Sequence, residues 1–178
     1  MKRWRRSWGR GVGVALLCLA CVVGSGVEGM AGITSLDREE TFSPVKVSHD
    51  VEIVGAELGE FRFDEKANAY LFYRQDRFDR TSKHSYGWRL ELRTRTQRRI
   101  EFKEIFTLPA APKQWGISDA VELSADRKRA TTRLYVTPDA SGYVSNYWSF
   151  SEGDPTGAHH FEIWVEGHYV TRLDFEVD

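Results

Sequence analysis

Apolar and polar positions begin to alternate at Val51, and the alternation recurs in short runs to the end of the chain. Successive side chains of a β-strand point to opposite faces, so each run predicts a strand with one buried face. The stretch 51–63 is the first, with Gly55 and Gly59 as places for a bulge or a crossing between sheets. A polar turn over 64–68 leads to a short aromatic strand, Ala69–Arg74, and 75–85 is a charged loop with one Phe. In the next run Tyr86, Trp88, Leu90 and Leu92 alternate with Gly87, Arg89, Glu91 and Arg93, which puts Trp88 on the core face. Ile100, Phe102, Phe106 and Leu108 then share one parity, and Ile105 breaks it, predicting a bulge or an exit.

The remaining elements are set by turn chemistry. Pro109 and Pro112 end the strand before them, because proline has no N–H for a ladder. Residues 124–128 form a polar hairpin turn between 120–123 and 131–136. A helix over 119–130, capped by Asp119, is the rival, but the β-branched run behind it and the lack of an apolar stripe favour the hairpin. Asp154-Pro155-Thr156-Gly157 has the residue preferences of a type I turn. Phe161, Ile163 and Val165, then Leu173, Phe175 and Val177, form the two alternating strands of a closing hairpin. Eight short strands and no long helix predict an all-β, antiparallel sandwich of about seven or eight strands.

The N-terminus changes the picture of where the domain works. Residues 2–10 are basic, Val12 to Val23 are apolar and small residues follow, the layout of a secretory signal peptide. The apolar run is shorter than the ~20 residues a membrane-spanning helix needs. The expected organisation is a signal peptide over 1–31, a flexible leader over 32–47 and the sandwich over 48–178. Leu19-Ala20-Cys21 resembles a lipobox, with Cys18 where Leu is preferred, so a lipoprotein signal ending at residue 20 and acylation of Cys21 is a second exit. Trp4-Arg5-Arg6-Ser7-Trp8-Gly9-Arg10 resembles a twin-arginine motif, with Trp4 and Gly9 departing from it. Both cysteines, Cys18 and Cys21, lie in the presequence, so the sandwich has no disulfide and is held by packing. The expected location is the periplasm or cell envelope, with membrane contact only through the presequence or a lipid anchor.

Charge bears on partners. The formal net charge is −1, but five basic residues and one acid fall in 1–31, which leaves the rest at −5. That gives no reason to expect nucleic acid. Between Arg74 and Lys103 ten basic residues face four acids, and from Thr137 onward one Arg faces eight acids. Arg93, Arg95, Arg98 and Arg99 are therefore binding candidates for an acidic partner, against the plainer role of blocking sheet edges. Trp115 and Trp164, off the core parity, are the aromatic candidates for stacking on a sugar or anchoring a protein.

Catalytic signals are absent from the pattern. No Gly-x-Ser-x-Gly and no glycine-rich phosphate loop occurs, and Asp76 and Asp79 sit in a basic loop where ion pairing explains them. His160, Glu162 and His168 are weak metal candidates, because His159 and His160 point to opposite faces of a strand. The expectation is no enzyme, no metal and no cofactor, with a hydrolase whose carboxylate spacing sequence cannot give as the residual alternative.

Trp148-Ser-Phe, Gly153-Asp-Pro-Thr-Gly157, Phe161-Glu-Ile-Trp-Val-Glu-Gly167 and Leu173-Asp-Phe-Glu-Val177 together resemble the end of small exported bacterial immunoglobulin-like domains. Val51-Glu-Ile…Gly55 and Tyr86-Gly-Trp88 are similar to the same type. The resemblance covers 48–178 and implies an immunoglobulin-like β-sandwich. It brings no catalytic residues. The combined expectation is an exported binding or accessory domain for a protein, a glycan or an envelope component. A membrane-tethered structural lipoprotein without a small ligand is the alternative.

Overall fold

Trp88 is fully buried, and the strand that carries it, Ser85–Thr94, lies at the centre of one of two packed sheets. The computed structural model describes residues 42–95, 98–116, 121–138 and 141–178; the whole presequence, including Cys18 and Cys21, lies outside the described residues. The strands are β1 (Val45–Lys46), β2 (Val51–Asp64), β3 (Ala69–Arg74), β4 (Arg77–Phe78), β5 (Ser85–Thr94), β6 (Ile100–Thr107), β7 (Val121–Leu123), β8 (Arg129–Val136), β9 (Tyr143–Ser149), β10 (Gly157–Val165) and β11 (His168–Val177). One sheet has the order β1-β2-β5-β9, with β3 also paired to β2. The other has the order β4-β11-β10-β6-β8-β7. All pairings are antiparallel except β4 with β11. This is an all-β two-sheet sandwich, and no disulfide is present among the described residues.

The alternation does what it predicts. Tyr86, Trp88, Leu90 and Leu92 of β5 meet Ile100, Phe102 and Phe106 of β6, Phe161, Ile163 and Val165 of β10, and Phe175 and Val177 of β11 in one core. The hairpin reading of 121–136 holds over the helix, since β7 and β8 pair across a turn in which Arg127 N–H donates to Ser124 O at 2.9 Å. The two-residue strand β4 adds to the expected elements and buries Phe78 from the charged loop.

Three expectations are corrected. Ile105 introduces no bulge: β6 keeps an unbroken register with both β8 and β10, and its core face simply passes through Glu104. The turn before β10 spans Ser151–Asp154, not Asp154–Gly157. Asp154 N–H donates to Ser151 O at 3.1 Å, Ser151 N–H donates to Asp154 Oδ2 at 2.7 Å, and Gly153 has a φ of 90°. That left-handed glycine is what a type II turn demands at its third position. The leader is also shorter than predicted, because Val45 and Lys46 pair with β2 and Val47 is buried.

Candidate functional site

Glu104 is the feature that the hydrophobic pattern concealed. It occupies a core position of β6 and is 0% exposed. Trp88 Nε1 and Asn146 Nδ2 donate to its Oε2 at 2.5 and 3.0 Å, and Trp148 Nε1 donates to its Oε1 at 2.8 Å. A carboxylate accepts from donors of this kind, whereas three N–H groups leave nothing for a carboxylic acid to donate to. Burial pushes the Glu104 carboxyl above its ordinary range, and the three hydrogen bonds pull against that rise. The cluster ties β5 and β9 of one sheet to β6 of the other through buried polar contacts. These three hydrogen bonds hold the two sheets together at Glu104.

Trp148 connects this cluster to a cleft. Tyr86, Trp115, Trp148, Phe150, Asp154 and His159 line a cavity of about 20 Å³. One water needs roughly 10–15 Å³, and ligand pockets run to roughly 300–1,000 Å³, so the cleft has room for a water and not for a substrate. Burial raises the Asp154 carboxyl and lowers the His159 imidazole from their ordinary values. Asp154 is committed to its turn, and His159 Nδ1 lies 2.7 Å from Gly157 O.

The candidates from the sequence are dispersed. Trp115 is 8% exposed and packs in the core, donating through Nε1 to Arg127 O at 2.8 Å. It is not an outward anchor, because its ring packs edge-on against Phe106 and Trp148. Trp164 does face outward from β10, but Lys103 Nζ sits 4.2 Å over its ring and Tyr169 packs against its edge. Arg93 pairs with Glu52 at 2.8 Å, Arg98 pairs with Glu166 and Asp50, and Arg99 lies over Tyr135. Arg95 is exposed in the same β5–β6 loop. Of these four arginines, Arg93 and Arg98 are thus paired with carboxylates, and Arg99 rests on an aromatic ring. His160 approaches Glu162 at 3.6 Å, while His168 pairs with Val165 at the far end of the hairpin. Among the described residues no group of three or more His, Cys, Asp or Glu is placed to hold a metal ion.

A different surface gathers the exposed aromatics. A register shift between Ile53 and Gly55 reverses the parity of β2. Ala56, Leu58 and Glu60 beyond it pair with core-facing Leu90, Trp88 and Tyr86, so Phe61 and Phe63 point away from the core. Phe61 and Tyr147 are only 4% and 8% exposed, yet neither belongs to the main core cluster. They are covered by each other and by rings of β3 on the outer face of the sheet. There Phe63 packs on Tyr70, Tyr70 on Tyr147, Tyr147 on Phe61 and Phe61 on Phe72, with ring centroids 5.1–5.2 Å apart. The Arg89 guanidinium continues the row, 4.2 Å from the Phe72 ring and 4.6 Å from the Tyr143 ring. Glu57 holds that guanidinium at 2.6 Å. Phe63 and Tyr143 at the two ends are 51% and 42% exposed.

Glycine makes the row possible. A Cβ on Gly59 would lie 2.6 Å from the Phe72 ring and 2.4 Å from Tyr73 O, so the Phe72 ring sits over bare backbone. Gly87 lets β9 approach β5 closely, since a Cβ there would meet Asn146 O at 2.1 Å. The result is an aromatic outer face crossing β3, β2, β5 and β9, with neighbouring rings tilted or edge-on to one another.

The model of the family described as the PM0630 beta sandwich domain matches residues 56–178. Among solved structures the chain is similar to an immunoglobulin-like protein, PA1606, from Pseudomonas aeruginosa. The two are 13% identical with a TM-score of 0.46, over 75% of this chain and 100% of that one. No curated protein matches.

Proposed function

The chain belongs to the PM0630 beta sandwich domain family, and on that premise we propose that it is an exported, non-catalytic binding domain of the periplasm or cell envelope. Its binding surface is the outer face of the β1-β2-β5-β9 sheet with β3. The observation that carries this reading is the unbroken row from Phe63 to Tyr143 outside the core. A sandwich already buries one face of each sheet, so a second aromatic layer adds little to the core and leaves apolar surface facing solvent. Contiguous surface of that kind marks interaction sites, and aromatic rings carry much of the affinity at such sites. The basic n-region and apolar stretch at the N-terminus support export.

Retention on envelopes from the source organism tests the reading. The processed protein should sediment with them, and Phe63→Ser with Tyr143→Ser should reduce that retention at least tenfold while leaving the melting temperature within a few degrees. Equal retention of the variant would remove the face from the account. The tethered-lipoprotein reading is favoured by Leu19-Ala20-Cys21. Mass spectrometry of the mature N-terminus separates a diacylglyceryl Cys21 from a cut after Ala31.

A further inference from the structure

We propose that two copies of the chain pair along the free edge of β3, joining their β1-β2-β5-β9 sheets across a two-fold axis. This goes beyond the binding reading and does not depend on it. Among the described residues β3 pairs only with β2. Gln75 N–H donates to Leu58 O at 3.1 Å, one step beyond the Gly59–Arg74 pair. Opposed residues of an antiparallel ladder alternate between bonded and non-bonded pairs. Leu71 and Tyr73 therefore bond to β2, and the N–H and C=O groups of Tyr70, Phe72 and Arg74 point to the free side. A row of such groups is a template for another strand.

The side chains of β3 raise none of the usual obstacles to edge pairing. Ala69-Tyr-Leu-Phe-Tyr73 has no charge, proline or glycine, and the strand's one charge, Arg74, is its last residue. The other sheet margins differ. Strands β1, β4 and β7 are only two or three residues long. In β9, Val144, Asn146, Tyr147 and Trp148 are buried. In β3 the side facing the core is open too: Leu71 and Tyr73 are 40% and 43% exposed, so the second sheet does not cover them.

The edge is complementary to itself, as a two-fold contact requires. Paired antiparallel about Phe72, the strand sets Phe72 against Phe72 of the second copy, Tyr70 against Arg74, and Leu71 against Tyr73. The free N–H and C=O groups of Tyr70, Phe72 and Arg74 then all find partners. Arg74 beside Tyr70 repeats across the axis the contact that the Arg89 guanidinium makes with the Phe72 ring at 4.2 Å. Aromatic and apolar pairs opposite each other are the ones that stabilise a sheet. A foreign strand would satisfy the backbone, whereas this register satisfies the side chains as well. The strand contributes 6 residues, against roughly 20–30 a side in a standard interface. The expected dissociation constant is therefore on the order of 10 µM.

Sedimentation velocity of the processed protein from about 1 to 300 µM tests the inference, and reversible exchange between monomer and dimer is the expected result. Leu71→Glu and Tyr73→Lys should each weaken the dimer about tenfold or more. Each new charge stands across the ladder from an opposite one, Arg62 or Glu60, so both variants should fold, and unchanged circular dichroism and melting temperature check that they do. Mixed in equal amounts, the two variants should form a heterodimer tighter than either alone. The new carboxylate then faces the new ammonium across the axis, and the other contact keeps native Leu71 and Tyr73. A monomer throughout the range, a dimer indifferent to both variants, or no recovery in the mixture would each overturn the inference. So would a dimer abolished by Phe63→Ser with Tyr143→Ser while Leu71→Glu still dimerises as wild type, because the contact would then lie on the ring row. A monomeric protein that envelopes retain through the ring row refutes the pairing and leaves the binding reading standing.

Discussion

Replacing Trp148 by Phe removes one of the three N–H groups that hold the Glu104 carboxylate and leaves the strand and the ring largely in place. Its cost has two parts. Loss of ring volume from the core costs about 1–2 kcal/mol, between the small and large core truncations. Loss of a hydrogen bond to a charged group costs about 1.5–3 kcal/mol, against roughly 1 kcal/mol for a neutral acceptor. Only the second part depends on pH. The folded Glu104 carboxyl titrates above its ordinary value, so the folded protein holds this proton more tightly than the unfolded chain. The stability contribution of this group is therefore greatest below the unfolded pKa and falls as pH rises through the folded one. Removing a donor raises the folded value further and deepens that fall. Denaturant unfolding of wild type and Trp148→Phe should show a destabilisation about 0.5–2 kcal/mol larger at pH 8 than at pH 4. In a Glu104→Gln background the pH dependence of the difference should vanish. A destabilisation equal at the two pH values would refute an ionised, hydrogen-bonded Glu104.

The other structural predictions are simpler. Gly59→Ala should destabilise by about 1–3 kcal/mol, the range for overpacking, because the Cβ meets Tyr73 O, a backbone atom that cannot step aside cheaply. Thermal unfolding measures the cost, and a loss of envelope retention should accompany it as Phe72 is pushed off its seat. Asp154→Ala should cost about 0.5–2 kcal/mol, the range for losing a side-chain cap on a backbone N–H, and Asp154→Asn should restore much of it by still accepting from Ser151. A silent Asp154→Ala would mean that the Ser151–Asp154 turn does not fix the entry to β10.

The layered fold is legible in the sequence because strand periodicity is local: Trp88, Phe102, Ile163 and Phe175 each announce their own side. The aromatic outer face proposed for binding is not legible, and the reason is a single bulge. Val51, Ile53, Phe61 and Phe63 share one parity in the sequence, so they read as one buried row. The shift after Ile53 turns the last two outward. Gly55 hints at the bulge without saying on which side of it the core lies. Strand β3 gives no alternation either, with Tyr70 and Phe72 on one face and Leu71 and Tyr73 on the other. Tryptophan misled in the opposite direction, since Trp115 is off parity but folded inward by its loop. Glu104 was readable as an acid at a core parity, but the three N–H donors come from β5 and β9, far away in sequence.

Hydroxyl-radical footprinting of the processed protein, free and bound to envelopes from its source organism, tests the binding face most directly. Phe63 and Tyr143 on one sheet and Tyr135 and Tyr169 on the other are similarly exposed, at 51%, 42%, 49% and 48%, so the second pair is an internal control. Binding through the aromatic face predicts protection of Phe63, Tyr70, Phe72 and Tyr143, with Tyr135 and Tyr169 oxidised at their free rate. Protection of Tyr135 or Tyr169 with Phe63 and Tyr143 unchanged would contradict the account.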